Sequence, residues 1–354
     1  MSDSTPTKHG GTGKRATLQS LAEHLGLSKT TVSVVVSDAP AAQSIPLETR
    51  ERILKAATAL QYRPNYLARS LRRSSSMSVG ILAPELSEGY FTLVMNGIEQ
   101  YLRSSEYFYS LVTHNWKMNL VEQDVRLLQE RAVDGFILID TPPLPSDRWQ
   151  VPVVAVSGHA SVKNVTNIQL DQRRAAELGL QHLYQLGHRK IAFMRGAQFS
   201  SDADERWESI TEVARTLGLE ICPHLCIGLE HNQWSPRLGY DPVRDLLTRT
   251  RDFTAIFCFN DVSAVGAIRA LCDVGLRVPD DVSVIGFDDV IGASYGIPSL
   301  TTVHQPLLEM GRLAAKTLLD RIANPSDPYE SLIMMEPTLV VRESTAAPGK
   351  RSDL

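Results

Sequence analysis

Seven polar or aromatic residues stand out for what they can do together. Tyr90 and Phe91 follow the apolar run Ser78–Ala83, Asp171 ends the segment NIQLD, and Arg206 lies in the loop–helix region after Ile191–Arg195. Trp234 sits in a polar loop, Asn260 follows Ala255–Phe259, and Asp288 follows Val282–Phe287. Carboxylates beside an Arg and a Trp face suit a polyhydroxylated ligand, through paired polar bonds to neighbouring hydroxyls and stacking on the ring. A purine can use an aromatic sandwich as well. Structural roles compete at three positions: Asp171 and Asp261 can each cap a following helix, and Arg206 can be a surface charge. The small polar or acidic run Ser200-Ser-Asp202 leaves the ligand's identity open.

Other chemistry-bearing residues lead nowhere. Gly10–Lys14 (GGTGK) lacks the preceding strand, the full spacing and the hydroxyl residue of a phosphate loop. There is no Gly-x-Ser-x-Gly elbow, and Ser157-Gly-His159 does not space a nucleophile from a base. Cys222 and Cys226 lack a second pair for a zinc site, while Cys258 and Cys272 lie in apolar contexts and read as core residues. No enzyme, cofactor or metal site is expected.

A second constellation lies near the beginning of the chain. Leu18, Leu21, Ala22 and Leu25 fall at helical spacing, Gly26 suits a left-handed helix end, and Ser28 is a good N-cap for a helix through Thr31, Val32 and Val35. A third helix is expected over Leu47–Leu60, with Ile53, Leu54, Ala57 and Leu60 on one face. This is the helix-turn-helix plan, whose second helix enters the DNA major groove. Lys29 can donate to guanine or phosphate, Thr30 to several bases, and Val34 can touch a thymine methyl. An ordinary three-helix bundle with a solvated Lys29 is the plainer alternative. Gln61-Tyr-Arg-Pro-Asn65 then breaks the helix, and Tyr66–Arg73 reads as a short basic helix.

In order and combination, TLQSLAEHLGLSKTTVS, ETRERIL, YRPNYLARSLRR and SVGILAPE resemble the LacI/GalR family of bacterial regulators, from about Ala16 to Glu343. The resemblance implies that YRPN…ARSL is a hinge that becomes helical on operator DNA, paired in the minor groove with its counterpart from a second subunit. Leu71 holds the place of the leucine that wedges between base steps, and Ala68 suits close approach of the two hinges. Arg69, Arg72 and Arg73 are placed to meet phosphates. The DNA-facing set is therefore Thr17, Ser28, Lys29, Thr30, Thr31, Val34, Tyr62, Asn65, Ala68, Arg69, Leu71 and Arg72. Many relatives carry a polar or basic residue where Val34 stands, so the operator sequence cannot be borrowed. The Ser37–Ile45 connection is also longer than the common form and is expected to be a loop off the base-reading surface.

After Ser76 the pattern becomes alternating short strands and amphipathic helices, in two sets divided near Asp171. Such alternation implies parallel sheets with helices on both faces, and two sets imply two lobes with a ligand between them at the carboxyl ends of the strands. The resemblance implies the same two-lobed body, similar to periplasmic sugar-binding proteins. It places Asp171, Arg206, Trp234 and Asp288 where relatives contact effector, with Tyr90 and Phe91 supplied by the first lobe. The expected fold is multi-domain: an all-α helix-turn-helix headpiece and an α/β two-lobed core. Its parts are a tail (1–15), the DNA-binding domain (16–61), a hinge helix (62–76), the core (77–345) and a tail (346–354). The first lobe takes 77–171 and 306–331, the second 172–302 and 332–345.

Charge agrees with a DNA-binding head. Residues 1–76 hold 11 Lys/Arg against 5 Asp/Glu, a balance of +6, whereas the remaining 278 hold 25 against 35, a balance of −10. Apolar runs are too short for a membrane span, and Met1–Arg15 has no secretory apolar stretch. The expectation is a cytoplasmic, ligand-responsive regulator, repressing carbohydrate-utilisation genes. It would bind double-stranded operator DNA as a homodimer, because no apolar heptad follows Glu343 to drive a coiled-coil tetramer. The alternatives are a purine-responsive regulator or a soluble small-sugar-binding protein.

Overall fold

The computed structural model describes residues 16–37, 39–62, 75–87, 89–141, 144–158, 162–197, 200–229 and 235–349. The chain divides into two compact units, Met1–Ser76 and Met77–Leu354. In the first, α1 (Leu18–Leu25), α2 (Lys29–Val36) and α3 (Leu47–Ala59) bury Leu21, Ala22, Val32, Val35, Ile53 and Ala57 against one another. Thr17 caps α1 in a reciprocal capping box with Ser20, and Gly26 ends it at φ 63°. Of the four residues expected on one face of α3, Leu54 is 50% and Leu60 37% exposed. With only two short helices to lie on, α3 buries the narrow stripe Ile53–Ala57, and Leu54 turns about 100° away from it. The segment after α2 is not all loop: Pro40–Ser44 forms a 3-10 turn that seats Ala42 in the core of the unit.

The second unit holds two six-stranded sheets. In the first, β1 (Ser78–Ala83), β2 (Phe108–Thr113), β3 (Gly135–Ile139), β4 (Val153–Val156), β5 (Val165–Leu170) and β11 (Leu332–Met335) run parallel in the order β11-β5-β4-β3-β1-β2. The second contains β6 (Ile191–Arg195), β7 (Cys226–Gly228), β8 (Ala255–Phe257), β9 (Ser283–Asp288), β10 (Thr301–His304) and β12 (Thr338–Val340). Its order is β12-β10-β9-β8-β6-β7, parallel except for the antiparallel edge strand β12. Short continuous apolar strands such as Val153–Val156, wholly buried, are what a sheet covered on both faces requires. Both sheets are doubly wound, with switch points between β1 and β3 and between β6 and β8, where ligand crevices form.

Helices α4 (Tyr90–Arg103), α5 (Met118–Glu130) and α10 (Leu307–Ala323) serve the first sheet; α6 (Gln172–Leu186), α7 (Ser201–Thr216), α8 (Arg237–Arg249) and α9 (Asp261–Asp273) serve the second. The chain passes between the lobes near 171, 306 and 336–337. The last crossing corrects the lobe boundary, since 332–335 joins the first lobe. Leu332, Ile333, Met334 and Met335 pair with Asn167–Leu170, which extends the first sheet by one parallel strand. The core also runs past 345, because Ala346 accepts from His188 and donates to Ser283, and Gly349 lies against Asp280.

Two helix crossings need glycine on both sides. A Cβ on Gly97 would stand 1.9 Å from the Leu308 carbonyl oxygen, and one on Gly311 2.0 Å from that of Val94, so α4 and α10 touch backbone to backbone. Gly239 and Gly266 do the same for α8 and α9, at 1.9 Å from Ser263 and 1.8 Å from Pro236. The four cysteines are free thiols; Cys258 is buried as expected, but Cys272 is exposed near the end of α9.

Candidate functional site

In the first unit, Ser28 accepts the Thr31 amide hydrogen at 3.0 Å, so the first turn of α2 starts at an exposed N-terminus. Thr31 also bonds the Ser28 hydroxyl, at 2.8 Å. Lys29 and Thr30 stand in solvent on that turn, where amide groups and the helix dipole suit an anion. Val34 is half-buried and packs, with Tyr62, on the core of the unit. Thr17 and Ser28 thus serve first as caps. Asn65, Ala68, Arg69, Leu71, Arg72 and Arg73 lie outside the described residues.

In the second unit, strand ends from both lobes surround a space of about 250 Å3. The first lobe contributes Tyr90, at the start of α4, and Asp140, after β3; both flank its switch point. From the second come Ser200, Asp202 and Arg206 before and on α7, Phe259 and Asn260 after β8, Asp288 at the end of β9, and Gln305 after β10.

Of the seven expected residues, Tyr90, Arg206, Asn260 and Asp288 come together here. Phe91 lines an adjoining space of about 220 Å3, with Pro84, Glu85 and Ile139, that shares Tyr90 and Asp140. Asp171 caps α6 instead, accepting the Arg174 amide hydrogen at 2.8 Å. Trp234 lies outside the described residues. Sequence reasoning missed Asp140, Ser200, Asp202, Phe259 and Gln305 as lining residues; Asp140 and Gln305 directly follow β3 and β10, which is the signal that could have found those two.

Arg206 is held from every side. Its Nε donates to Gln172 Oε1 (3.1 Å), one terminal nitrogen donates to the Phe259 carbonyl (2.8 Å), and the other stands 3.5 Å from Asp202. The guanidinium lies 3.6 Å over the Phe287 ring and 4.7 Å over that of Phe259. Tyr90 shares a 2.6 Å hydrogen bond with Ser157, and burial among Asp202, Asp140 and Asp288 pushes its hydroxyl well above the usual range.

The loop after β9 is strained into place. Asp288 (φ 110°) and Asp289 (φ 58°) sit consecutively in the left-handed region, as do Asp140 (φ 40°) and Ser157 (φ 58°) after their own strands. Each costs roughly 1–3 kcal/mol, and such outliers gather where a site needs them. Asn260, rather than Asp261, caps α9 through the Ser263 amide hydrogen. Asp261 is wholly buried behind the space, where it accepts from Thr302 (2.6 Å) and from the Val290 backbone (2.9 Å) and so pins the strained loop. Among the described residues at and beneath this space, four buried side-chain atoms make no hydrogen bond: Asp288 Oδ2, Gln305 Oε1, Asn260 Nδ2 and Gln172 Nε2.

Burial, with Asp261 adding, holds Asp288 well above the usual aspartate range although Arg206 opposes it; burial likewise raises Asp261 to about 7. An acid raised on folding destabilises the folded chain as pH climbs from its ordinary value through the raised one. Asp288→Asn is therefore expected to melt above the parent, with the gap widening as pH climbs above the ordinary aspartate range and reaching about 3 °C per kcal/mol relieved. Burial lowers His114 to about 4, a group that costs stability as pH falls below its ordinary 6.5; it is common to both proteins and cancels from the difference. A gap that stays flat in paired melting curves would refute this.

Residues 17–65 match the model of bacterial regulatory proteins, lacI family, and residues 180–345 that of a periplasmic binding protein-like domain. The chain is 31% identical to the ribose operon repressor of Haemophilus influenzae over 93% of its length and 98% of that protein's. It is 32% identical, with the same coverage, to the HTH-type transcriptional repressor PurR of the same organism. Among solved structures, it is similar to the lac repressor dimer bound to operator and the anti-inducer ONPF. The TM-score is 0.83 at 26% identity, covering 94% of this chain and 100% of that one.

Proposed function

The chain belongs to the LacI family of bacterial regulatory proteins, and from that premise we propose how this ligand-responsive DNA-binding regulator works. A homodimer places one α2 helix in the major groove of each half of a pseudo-palindromic operator, with Lys29 and Thr30 at the base edges. Two hinge segments meet in the minor groove, where Leu71 wedges between base steps. A sugar or sugar derivative seated among Tyr90, Asp140, Arg206, Asn260 and Asp288 draws the lobes together and changes how the hinges are held. DNA and sugar then favour different states and are coupled reciprocally. The regulator represses carbohydrate-utilisation genes in the cytoplasm. Among the described residues no helix is long and apolar enough to cross a membrane.

The observation that carries the ligand half of this reading is the set of buried, unpartnered polar atoms on Asn260, Asp288 and Gln305, facing one space at the strand ends. Buried polar groups are almost always hydrogen-bonded, and a polyol offers both donors and acceptors.

Selection of genomic DNA fragments by the purified protein, with and without a panel of sugars and purines, tests the whole reading. An enriched pseudo-palindrome whose recovery changes with a sugar supports it; enrichment altered only by purines transfers the effector to that class. In the same assay Leu71→Ala is expected to weaken operator binding about 30-fold or more, the worth of a few kcal/mol of wedge contacts. Unchanged affinity would remove the wedge role.

A further inference from the structure

Among the described lining residues of the space at the strand ends, buried carboxylates outnumber cations. Asp140, Asp202 and Asp288 line it, none more than 5% exposed, and Asp261 lies directly behind with no exposure. Among the described lining residues Arg206 is the single cation, and its donors are already committed to Gln172, the Phe259 carbonyl and Asp202. Buried carboxylates must be paired, hydrogen-bonded or protonated. Asp288 meets that demand on one oxygen alone, which accepts from Gln305 at 2.6 Å. Its Oδ2 and the Gln305 Oε1 beside it have no donor.

What fits those atoms is a donor-rich, positively charged group. An ammonium supplies three N–H donors and a charge opposite to that of the carboxylates, whereas a phosphate or carboxylate would bring further acceptors beside Asp288 Oδ2 and Gln305 Oε1, which already lack donors. The Asn260 Nδ2 hydrogens call in turn for an acceptor, which a ring hydroxyl provides.

Resting on the reading of this space as the effector site, we propose that the effector is an amino sugar. Its protonated amine sits at Asp288 Oδ2 and Gln305 Oε1, and its hydroxyls reach Asn260 and Asp140. Arg206 acts as an internal strut that keeps Asp202 and the Phe287 ring in place and is not the anchor of an anion. The same charge excludes uronic acids and sugar phosphates.

Thermal melts and calorimetry on the full chain at about pH 6.5, where the amine is charged, test this with matched sets. These comprise glucose, galactose and mannose, their 2-amino-2-deoxy forms, and their uronates, with 1,4-diaminobutane as an amine lacking a ring. At least one amino sugar is expected to bind about tenfold or more tightly than its neutral partner, the gain of a charge-assisted bond. Asp288→Asn should cancel that preference for the amine over its neutral partner, and Asp140→Asn should weaken it. Tighter binding of a neutral sugar or a uronate overturns the proposal but keeps a sugar effector. Binding of the diamine alone overturns the sugar ring, and a panel in which nothing binds overturns both readings.

Discussion

Arg206→Met is expected to abolish the effect of ligand on operator binding and to lower the melting temperature of the core. The guanidinium holds Gln172, the Phe259 carbonyl and Asp202 together beneath the space, stacked on Phe287. Methionine fills similar volume but leaves Asp202, 5% exposed, without its cation. Removing one partner of a buried ion pair costs about 3–5 kcal/mol. The lining then shifts, and ligand affinity should fall about 100-fold, the equivalent of one lost charge-assisted hydrogen bond. Operator binding without ligand belongs to the first unit, so gel-shift titration below the lowered melting point should give a ligand-free affinity close to the parent's. A ligand response of normal size would displace Arg206 from the site.

Gly97→Leu is expected to prevent the core from folding. Even the alanine variant puts a methyl 1.9 Å from the Leu308 carbonyl and 2.7 Å from the Arg312 amide nitrogen, both backbone atoms that cannot rotate away. The two helices must separate by more than an ångström. Overpacking of this kind costs about 1–3 kcal/mol, and a leucine well beyond the 4–5 kcal/mol at which single substitutions become exceptional. Because Gly311 makes the reciprocal contact, Gly97→Ala and Gly311→Ala should add to less than their sum: once either has forced the helices apart, the other methyl finds room. Gly228→Ala, with nothing within 4 Å of its added carbon, serves as the neutral control in urea denaturation. Full additivity would mean that the two glycines do not share one crossing.

The features legible in the sequence were those written in local order. Gly26 and Ser28 announced the turn between α1 and α2, and continuous apolar runs such as Val282–Phe287 announced buried strands. Strand ends led to Tyr90, Arg206, Asn260 and Asp288. The misses have a common physical cause, which is that tertiary partners decide among locally equivalent choices. Asp171 and Asn260 both cap helices, yet Asn260 also faces the space, and nothing in their neighbouring residues separates the two. Asp140 and Gln305 lie just past strands, and only the meeting of two lobes brings them together. Leu332–Met335 joins the first sheet although it follows the second in sequence, because an open edge at β5 is there to be paired. Leu54 looked like core because its helix is apolar over a wider arc than two short neighbours can cover.

The crossing of α4 and α10 also sets the order in which the molecule can be completed on the ribosome. Gly97 and its partner Gly311 lie about 200 residues apart, which at about 5–20 residues per second is an interval of about 10–40 s. Throughout it, the nascent chain carries the apolar face of α4, with Val94 and Ile98, uncovered. The second sheet, lacking only its edge strand β12, is fully synthesised before α10 exists. The lobe whose first strand is made earliest thus waits longest for its covering helix, and a chaperone following translation would find its binding surface on α4.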